Sequence, residues 1–198
     1  MNIGATKMND LQGIALPPSY TRILTRSQEL GFSMNSDVLT GSLLRTLAAS
    51  KPGGALLELG TGVGLGSAWL LDGMNETATL LSLENDAAAM SIAQTELGLD
   101  ARATFILGDG AQFLLGCKDS FDLIYADTWP GKYSYLAEAL RLVKRGGIFL
   151  VDDMLHQANW PDGHEQKAAS LIATLTALED FRVTKISWSS GLILCVKT

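Results

Sequence analysis

Four segments of the chain carry residue types at spacings that could do chemistry. In the first, a short apolar run passes straight into Glu58-Leu59-Gly60-Thr61-Gly62-Val63-Gly64-Leu65-Gly66-Ser67. Glycines here let the backbone turn sharply and approach a ligand closely, and the helix start beyond them offers unpaired N–H groups to a negative group. A nucleotide-like cofactor is the natural guest. The G-x-G-x-x-G spacing of dinucleotide-binding turns is not completed, because its last position falls on Leu65 counted from Gly60 and on Ser67 counted from Gly62. The second segment ends in Glu84, 24 residues beyond Gly60, where a carboxylate can grip both hydroxyls of a ribose. The third ends in Gly108-Asp109-Gly110. Acids after strands also cap the next helix, so each of these has that simpler alternative.

The fourth set is Asp127 with the pair Asp152-Asp153, each following an apolar run. In open parallel sheets, ligands sit beyond the carboxyl ends of the strands, so the three acids are expected to converge. Close carboxylates repel and need protons or a cation to compensate them, and hard oxygen ligands favour Mg2+, Ca2+ or manganese. The alternative leaves Asp122 and Asp153 facing solvent and Asp152 capping a turn. Lys132 and His156 are the candidate catalytic bases. His156 stands on the stretch Met154 to Pro161, which either covers an acceptor like a lid or leaves the histidine exposed without a role. Trp129 and Trp160 flank the same region and either stack on a flat acceptor or anchor loops. His164 falls in the expected cap of the next helix and receives no catalytic assignment.

These residues need elements to hold them. Two helices are expected first, Pro17 to Leu30 and Ser36 to Ala49, closed by Gly31 and by Pro52-Gly53. Short, nearly continuous apolar runs then alternate with helical patterns. The runs are Ala55 to Leu59, Ala78 to Leu83, Ala103 to Leu107, Leu123 to Ala126 and Ile148 to Val151; the helices are Leu65 to Gly73, Ala87 to Leu97, Ala111 to Leu115 and Tyr133 to Val143. Such runs suit strands buried on both faces, the setting of a parallel α/β sheet. Asp162 and Glu165 have capping-box spacing for a helix reaching about Leu178. Two strands close the chain, Phe181 to Trp188 and Leu192 to Val196, joined by Ser189-Ser190-Gly191.

Composition bounds the function. The chain has 198 residues, 47% hydrophobic and 18% charged, which suits one globular domain. Residues 1–52 read as an N-terminal helical cap and 53–198 as the core. The net charge is -6 and no basic run reaches five residues, which argues against nucleic acid and against an acidic membrane surface as partners. Cys117 and Cys195 are far apart and read as reduced core cysteines. Met1 to Asp10 lacks the features of a secretory signal and no apolar run is long enough to span a membrane, so a cytoplasmic setting is expected.

The Glu-x-Gly-x-Gly-x-Gly segment, the later acids and the closing hairpin together resemble class I methyltransferases. That resemblance implies a Rossmann-like, mostly parallel seven-stranded sheet with an antiparallel C-terminal strand and helices on both faces. It also implies S-adenosylmethionine as cofactor, with Asp109 taking a hydrogen bond from the adenine amino group. The implied cofactor-binding set is Glu58, Gly60, Gly62, Gly64, Ser67, Glu84, Asp109, Gly110 and Asp127. From about Leu39 onward the motif order is similar to the metal-dependent O-methyltransferases that include the catechol and caffeoyl-coenzyme A enzymes. Their metal ligands fall on Asp127, Asp152 and Asp153, and their acceptors are small hydroxylated molecules.

The chain departs from that family at three places. Asp153 replaces an Asn, Pro130 replaces a Lys with Lys132 two residues later, and Gly64-Leu65-Gly66 replaces Gly-Tyr-Ser. The resemblance further implies a homodimer, for which Ile23, Leu24, Leu43 and Leu44 serve either the interface or the core. A protein that only binds the cofactor and a nicotinamide-dependent oxidoreductase are the alternatives, the second opposed by the incomplete glycine spacing and by the hairpin.

Overall fold

The computed structural model describes residues 9–198. Residues 1–8, which carry most of the segment read above for a secretory signal, lie outside the described residues. The chain opens with α1 (Tyr20–Leu30) and α2 (Val38–Ala49). Strands β1 (Ala55–Leu59), β2 (Thr79–Glu84), β3 (Ala103–Leu107), β4 (Phe121–Ala126) and β5 (Val143–Val151) then alternate with α3 (Leu65–Gly73), α4 (Ala87–Leu97), α5 (Gly110–Gly116) and α6 (Leu136–Arg141). Helix α7 (His164–Thr176) leads into β6 (Phe181–Ile186) and β7 (Leu192–Lys197).

The seven strands form one sheet in the order β3-β2-β1-β4-β5-β7-β6. All neighbours are parallel except β7, which runs antiparallel to both β5 and β6. Because β1 and β4 are central, their apolar residues are buried on both faces. Leu56, Leu123 and Tyr125 face one cluster with α1, α2, α3 and α4. Leu57, Leu59 and Ile124 face the other with α6 and α7. Ile23 and Leu44 are fully buried and serve the core, while Leu24 and Leu43 pack against the first cluster and stay partly exposed. Cys195 is buried in the second cluster and Cys117 is half-buried at its edge, both as free thiols.

Most element boundaries fall within a few residues of expectation, and the largest differences lie around β5. The α6 helix is shorter than Tyr133 to Val143, and β5 starts at Val143 rather than Ile148. The cause is a register shift: Phe121 pairs with Val143 but Leu123 with Ile148, so the segment carrying Gly146-Gly147 bulges inside the strand. Lys144 Nζ on that bulge reaches Asp122 Oδ2 at 2.7 Å, which pairs Asp122 instead of leaving it in solvent. The Asp162/Glu165 capping box does not form. Helix α7 begins at His164 behind Gly163 in the left-handed region (φ 82°), with no side-chain cap, because Glu165 turns back to His156 Nδ1 at 2.8 Å. At the other end of the chain, Trp188 lies beyond β6 and donates its indole N–H to Asp10.

Candidate functional site

The turn between β1 and α3 is built on three glycines with positive φ, Gly60 (99°), Gly62 (53°) and Gly64 (98°). The N–H groups of Gly60 and Thr61 both donate to the Leu83 carbonyl at 3.0 and 2.9 Å, which ties the turn to the tip of β2. A Cβ on Gly60 would stand 2.8 Å from the Asp127 carbonyl and one on Gly62 would stand 3.1 Å from Phe32 Cζ. Glycine therefore permits both the backbone angle and the close approach of the β4 tip and of the segment after α1.

Beneath this turn lies a buried polar network. Glu58 is completely buried, and its Oε2 accepts from the hydroxyls of Ser67 and Ser82, while Ser82 also contacts Thr61 Oγ1 at 2.6 Å. The other oxygen, Glu58 Oε1, has no hydrogen-bond partner among the described residues. Burial pushes the Glu58 carboxyl up to about 7, against the lowering effect of the two serine hydroxyls and with a further rise from the nearby Glu84 charge. A buried acceptor without a donor is costly in isolation, so this oxygen is an unmet acceptor beneath the turn.

Glu84 sits at the end of β2, where Oε2 accepts from the Gly62 N–H at 2.8 Å and Oε1 from the N–H groups of Asn85 and Asp86. Together with Gly60, Gly110, Thr128 and Pro130 it lines a small crevice of about 30 Å³ between the tips of β1, β2 and β3. Asp109 is exposed and caps α5 by accepting from the Gln112 N–H at 2.9 Å. The geometry thus brings Glu58, the glycines, Ser67, Glu84 and Gly110 together. Asp109 adjoins them in its simpler role as a helix cap.

At the tips of β4 and β5, Asp127 and Asp152 converge on Tyr125. The fully buried Tyr125 hydroxyl donates to Asp152 Oδ2 at 2.6 Å and stands 3.2 Å from both Asp127 Oδ2 and Ser36 Oγ. Asp152 Oδ1 accepts from the Ser190 hydroxyl and from the Asp153 N–H at 2.7 Å. Burial raises the Asp127 carboxyl well above the usual carboxylate range; the Asp152 charge adds to this and Lys132 opposes it. Burial and the Asp153 charge likewise raise Asp152.

Asp127, Asp152 and Asp153, the expected metal set, lie close enough for their charges to interact. Among the described residues no group of three His, Cys, Asp or Glu side chains is arranged to hold a metal ion. The Tyr125 and Ser190 hydroxyls and a backbone N–H take the oxygens of Asp152 that a cation would need, and Asp153, at φ 56°, contributes its N–H to that set. Asp152 is thereby held by Tyr125 and Ser190, with the Asp153 charge still acting on both Asp127 and Asp152.

Lys132 is 5% exposed and close enough to Asp127 for their charges to interact. His156 is not brought in: it lies on the surface, paired with Glu165. Trp129 is 46% exposed and Trp160 packs on His164 with ring centroids 4.3 Å apart. Tyr125, Ser36, Ser82, Ser190 and Phe32 escaped sequence reasoning. Only Tyr125 left a signal, as a lone hydroxyl in an apolar strand that must find a partner when buried.

A doubly wound sheet with this strand order, one antiparallel strand, a glycine turn after β1 and acids at the tips of β2 and β4 is the architecture of a class I methyltransferase. Residues 57–154 match the family model described as a methyltransferase domain. A Mycobacterium ulcerans (strain Agy99) protein, provisionally described as an O-methyltransferase, is 33% identical over 117 residues, which is 56% of this chain and 52% of that protein. The chain thus spans about half the length of the curated relatives it matches first. Among solved structures, an O-methyltransferase from Klebsiella pneumoniae, also provisionally described, is 25% identical with a TM-score of 0.80, covering 93% of this chain and 92% of that one. The Bacillus cereus O-methyltransferase in complex with SAH shares the fold at 19% identity, with a TM-score of 0.81 over 94% of each chain. These matches favour the methyltransferase reading over the nicotinamide-dependent one.

Proposed function

We propose that this chain, as a single domain, transfers the methyl group of S-adenosylmethionine to a hydroxyl oxygen of a small acceptor. The observation that carries the proposal is the orphaned Glu58 Oε1, buried beneath three positive-φ glycines at the same end of the sheet as Asp127 and Lys132. Bound S-adenosylmethionine supplies a methyl group on a sulfonium, a good leaving group. The protein's share is then proximity, alignment and a route for the acceptor's proton.

Glu58 and the glycine turn suit the amino-acid end of the cofactor, and Glu84 suits its ribose hydroxyls. Asp127, with its raised pKa, is the group assigned to take the acceptor's proton, and the Lys132 ammonium stabilises the oxygen as it gains negative charge. His156 has no part in this scheme, and no step runs through a metal. A cytoplasmic setting and a homodimer complete the reading; the two free thiols suit the first, and sedimentation tests the second.

The test uses S-adenosylmethionine labelled in the methyl group with a panel of small phenols. Label is expected in a product whose mass has risen by one methylene, and Asp127→Asn is expected to lower kcat by about a hundredfold or more. An enzyme preparation that binds the cofactor yet labels no acceptor supports the binding-only alternative.

A further inference from the structure

The two outer strands of the sheet, β3 and β6, are built differently. An unpaired edge presents a row of backbone N–H and C=O groups that another strand can join, and proteins blunt such edges with charge, proline, a bulge or a cover. On β6, the exposed Arg182 and Lys185 supply that charge. Strand β3 reads Ala103-Thr104-Phe105-Ile106-Leu107, without a charged residue or a proline, and its register with β2 is unbroken. Each of its residues is half-buried or exposed, and Leu107 is 53% exposed. Leu99 in the turn before it and Leu115 on the helix after it are exposed as well.

The bonds to β2 fix which groups β3 has left over. The Leu80 N–H donates to the Arg102 carbonyl and the Gly108 N–H to the Glu84 carbonyl, both at 2.8 Å, so Arg102, Thr104, Ile106 and Gly108 face β2. Backbone direction alternates along a strand, so Ala103, Phe105 and Leu107 turn their N–H and C=O outward. The Ala103 N–H is already used, donating to the Asp100 carbonyl at 3.0 Å. What remains is the N–H groups of Phe105 and Leu107 and the carbonyls of Ala103, Phe105 and Leu107, and among the described residues no other strand pairs with them.

This set is self-complementary. Laid antiparallel about a twofold axis at Phe105, two copies of β3 exchange the Phe105 N–H and C=O groups, and each Leu107 N–H meets the Ala103 carbonyl of the other copy, so every free donor is satisfied. Side chains match in the same register: Phe105 lies beside its twofold mate, the large Leu107 opposite the small Ala103, and Thr104 opposite Ile106. Although the chain carries a net charge of -6, pairing along β3 sets no like charges opposite each other.

We propose that this chain self-associates through β3, two copies joining edge to edge in one continuous sheet. Such a junction rests on the homodimer reading, gives it an interface other than the partly exposed Leu24 and Leu43 of the first two helices, and needs nothing from the methyl-transfer reading.

The experiment is sedimentation equilibrium of the whole chain, wild type and Leu107→Pro. Proline is tolerated on an edge strand where its missing N–H would face solvent, and Leu107 belongs to neither core cluster. The variant loses the Leu107 half of the junction's hydrogen bonds, so its dissociation constant is expected to rise about tenfold or more. Thr104→Lys, which brings an ammonium group from each copy into the junction and leaves the backbone unchanged, is expected to act in the same direction. Circular dichroism checks that each variant is folded. To locate the contact, Thr104→Cys and, on β6, Thr184→Cys are each made in a Cys117→Ser background and treated with a short bifunctional maleimide. Diagonal neighbours across a strand pair stand about 7 to 8 Å apart, so the first is expected to give a covalent dimer and the second is not.

A wild type that is monomeric at its highest soluble concentration overturns the homodimer and the junction together. A wild-type dimer that persists unweakened in folded Leu107→Pro or Thr104→Lys, or that cross-links through Thr184→Cys and not through Thr104→Cys, overturns the junction alone and moves the interface elsewhere. Should Leu107→Pro fail to fold, Thr104→Lys and the cross-link decide.

Discussion

Replacing Glu58 with Gln removes an ionisable group from a completely buried position beneath the glycine turn. The wild-type carboxyl is raised from an ordinary 4.5 to about 7. The folded state therefore keeps a proton that the unfolded chain has already released over that interval. Its contribution to stability is full below pH 4.5 and is lost as the pH rises through 7. At about 1.4 kcal/mol per pH unit the loss amounts to about 3 kcal/mol by pH 8. Burial is complete, so solvent screening does not reduce this figure.

Gln carries no such dependence. The unfolding free energy of Glu58→Gln minus that of the wild type, measured by urea denaturation of the cofactor-free protein, is predicted to rise by about 3 kcal/mol between pH 4.5 and pH 8. For a chain of this size that corresponds to roughly 6 to 12 °C in Tm. Subtraction cancels the titration of other groups, and the amide nitrogen placed where Oε1 stood adds only an offset independent of pH. The same variant is predicted to bind S-adenosylmethionine more weakly, since it loses the orphaned acceptor. A difference that stays flat across the pH range would refute the reasoning.

Glu84→Ala removes the acceptor for three backbone N–H groups and a charge at the ribose position. It is predicted to weaken S-adenosylmethionine binding about tenfold or more, from the 1.5 to 3 kcal/mol typical of a charged hydrogen bond; unchanged affinity by calorimetry contradicts the assignment. Chelation with EDTA followed by dialysis is predicted to leave methyl transfer intact, with no heat on adding Mg2+ or Ca2+, and activity restored only by a cation would reinstate the metal. Gly64→Ala places a Cβ 2.9 Å from that of Ala93 at φ 98°, and is predicted to cost roughly 1 to 3 kcal/mol in urea denaturation; a neutral result denies the strain.

The succession of strands was legible because β1 to β5 are short apolar runs with glycine or acid at their ends, and because the terminal strands are too close together for anything but a hairpin; their order across the sheet was not. The bulge in β5 was not, since Lys144-Arg145-Gly146-Gly147 reads as a helix exit and turn unless the Asp122–Lys144 contact is known. Similarly, the Asp162/Glu165 spacing is correct for a capping box, and only the competing contact to His156 shows why it does not form. Spacing placed Glu58, Glu84 and the glycines together. It could not distinguish Asp127 and Asp152 sharing a cation from the same acids sharing Tyr125, because that depends on where one hydroxyl points across two strands. Lys132 and His156 were equal candidates in sequence. Packing separates them, burying the lysine near Asp127 and leaving the histidine on the surface.

Calorimetric titration of the metal-stripped chain with S-adenosylmethionine, and in parallel with NAD, tests the central claim most directly. Saturable binding of S-adenosylmethionine, weakened in both Glu58→Gln and Glu84→Ala, with no heat from NAD, is the predicted result. Binding of NAD without S-adenosylmethionine, or binding of neither by folded protein, would contradict it.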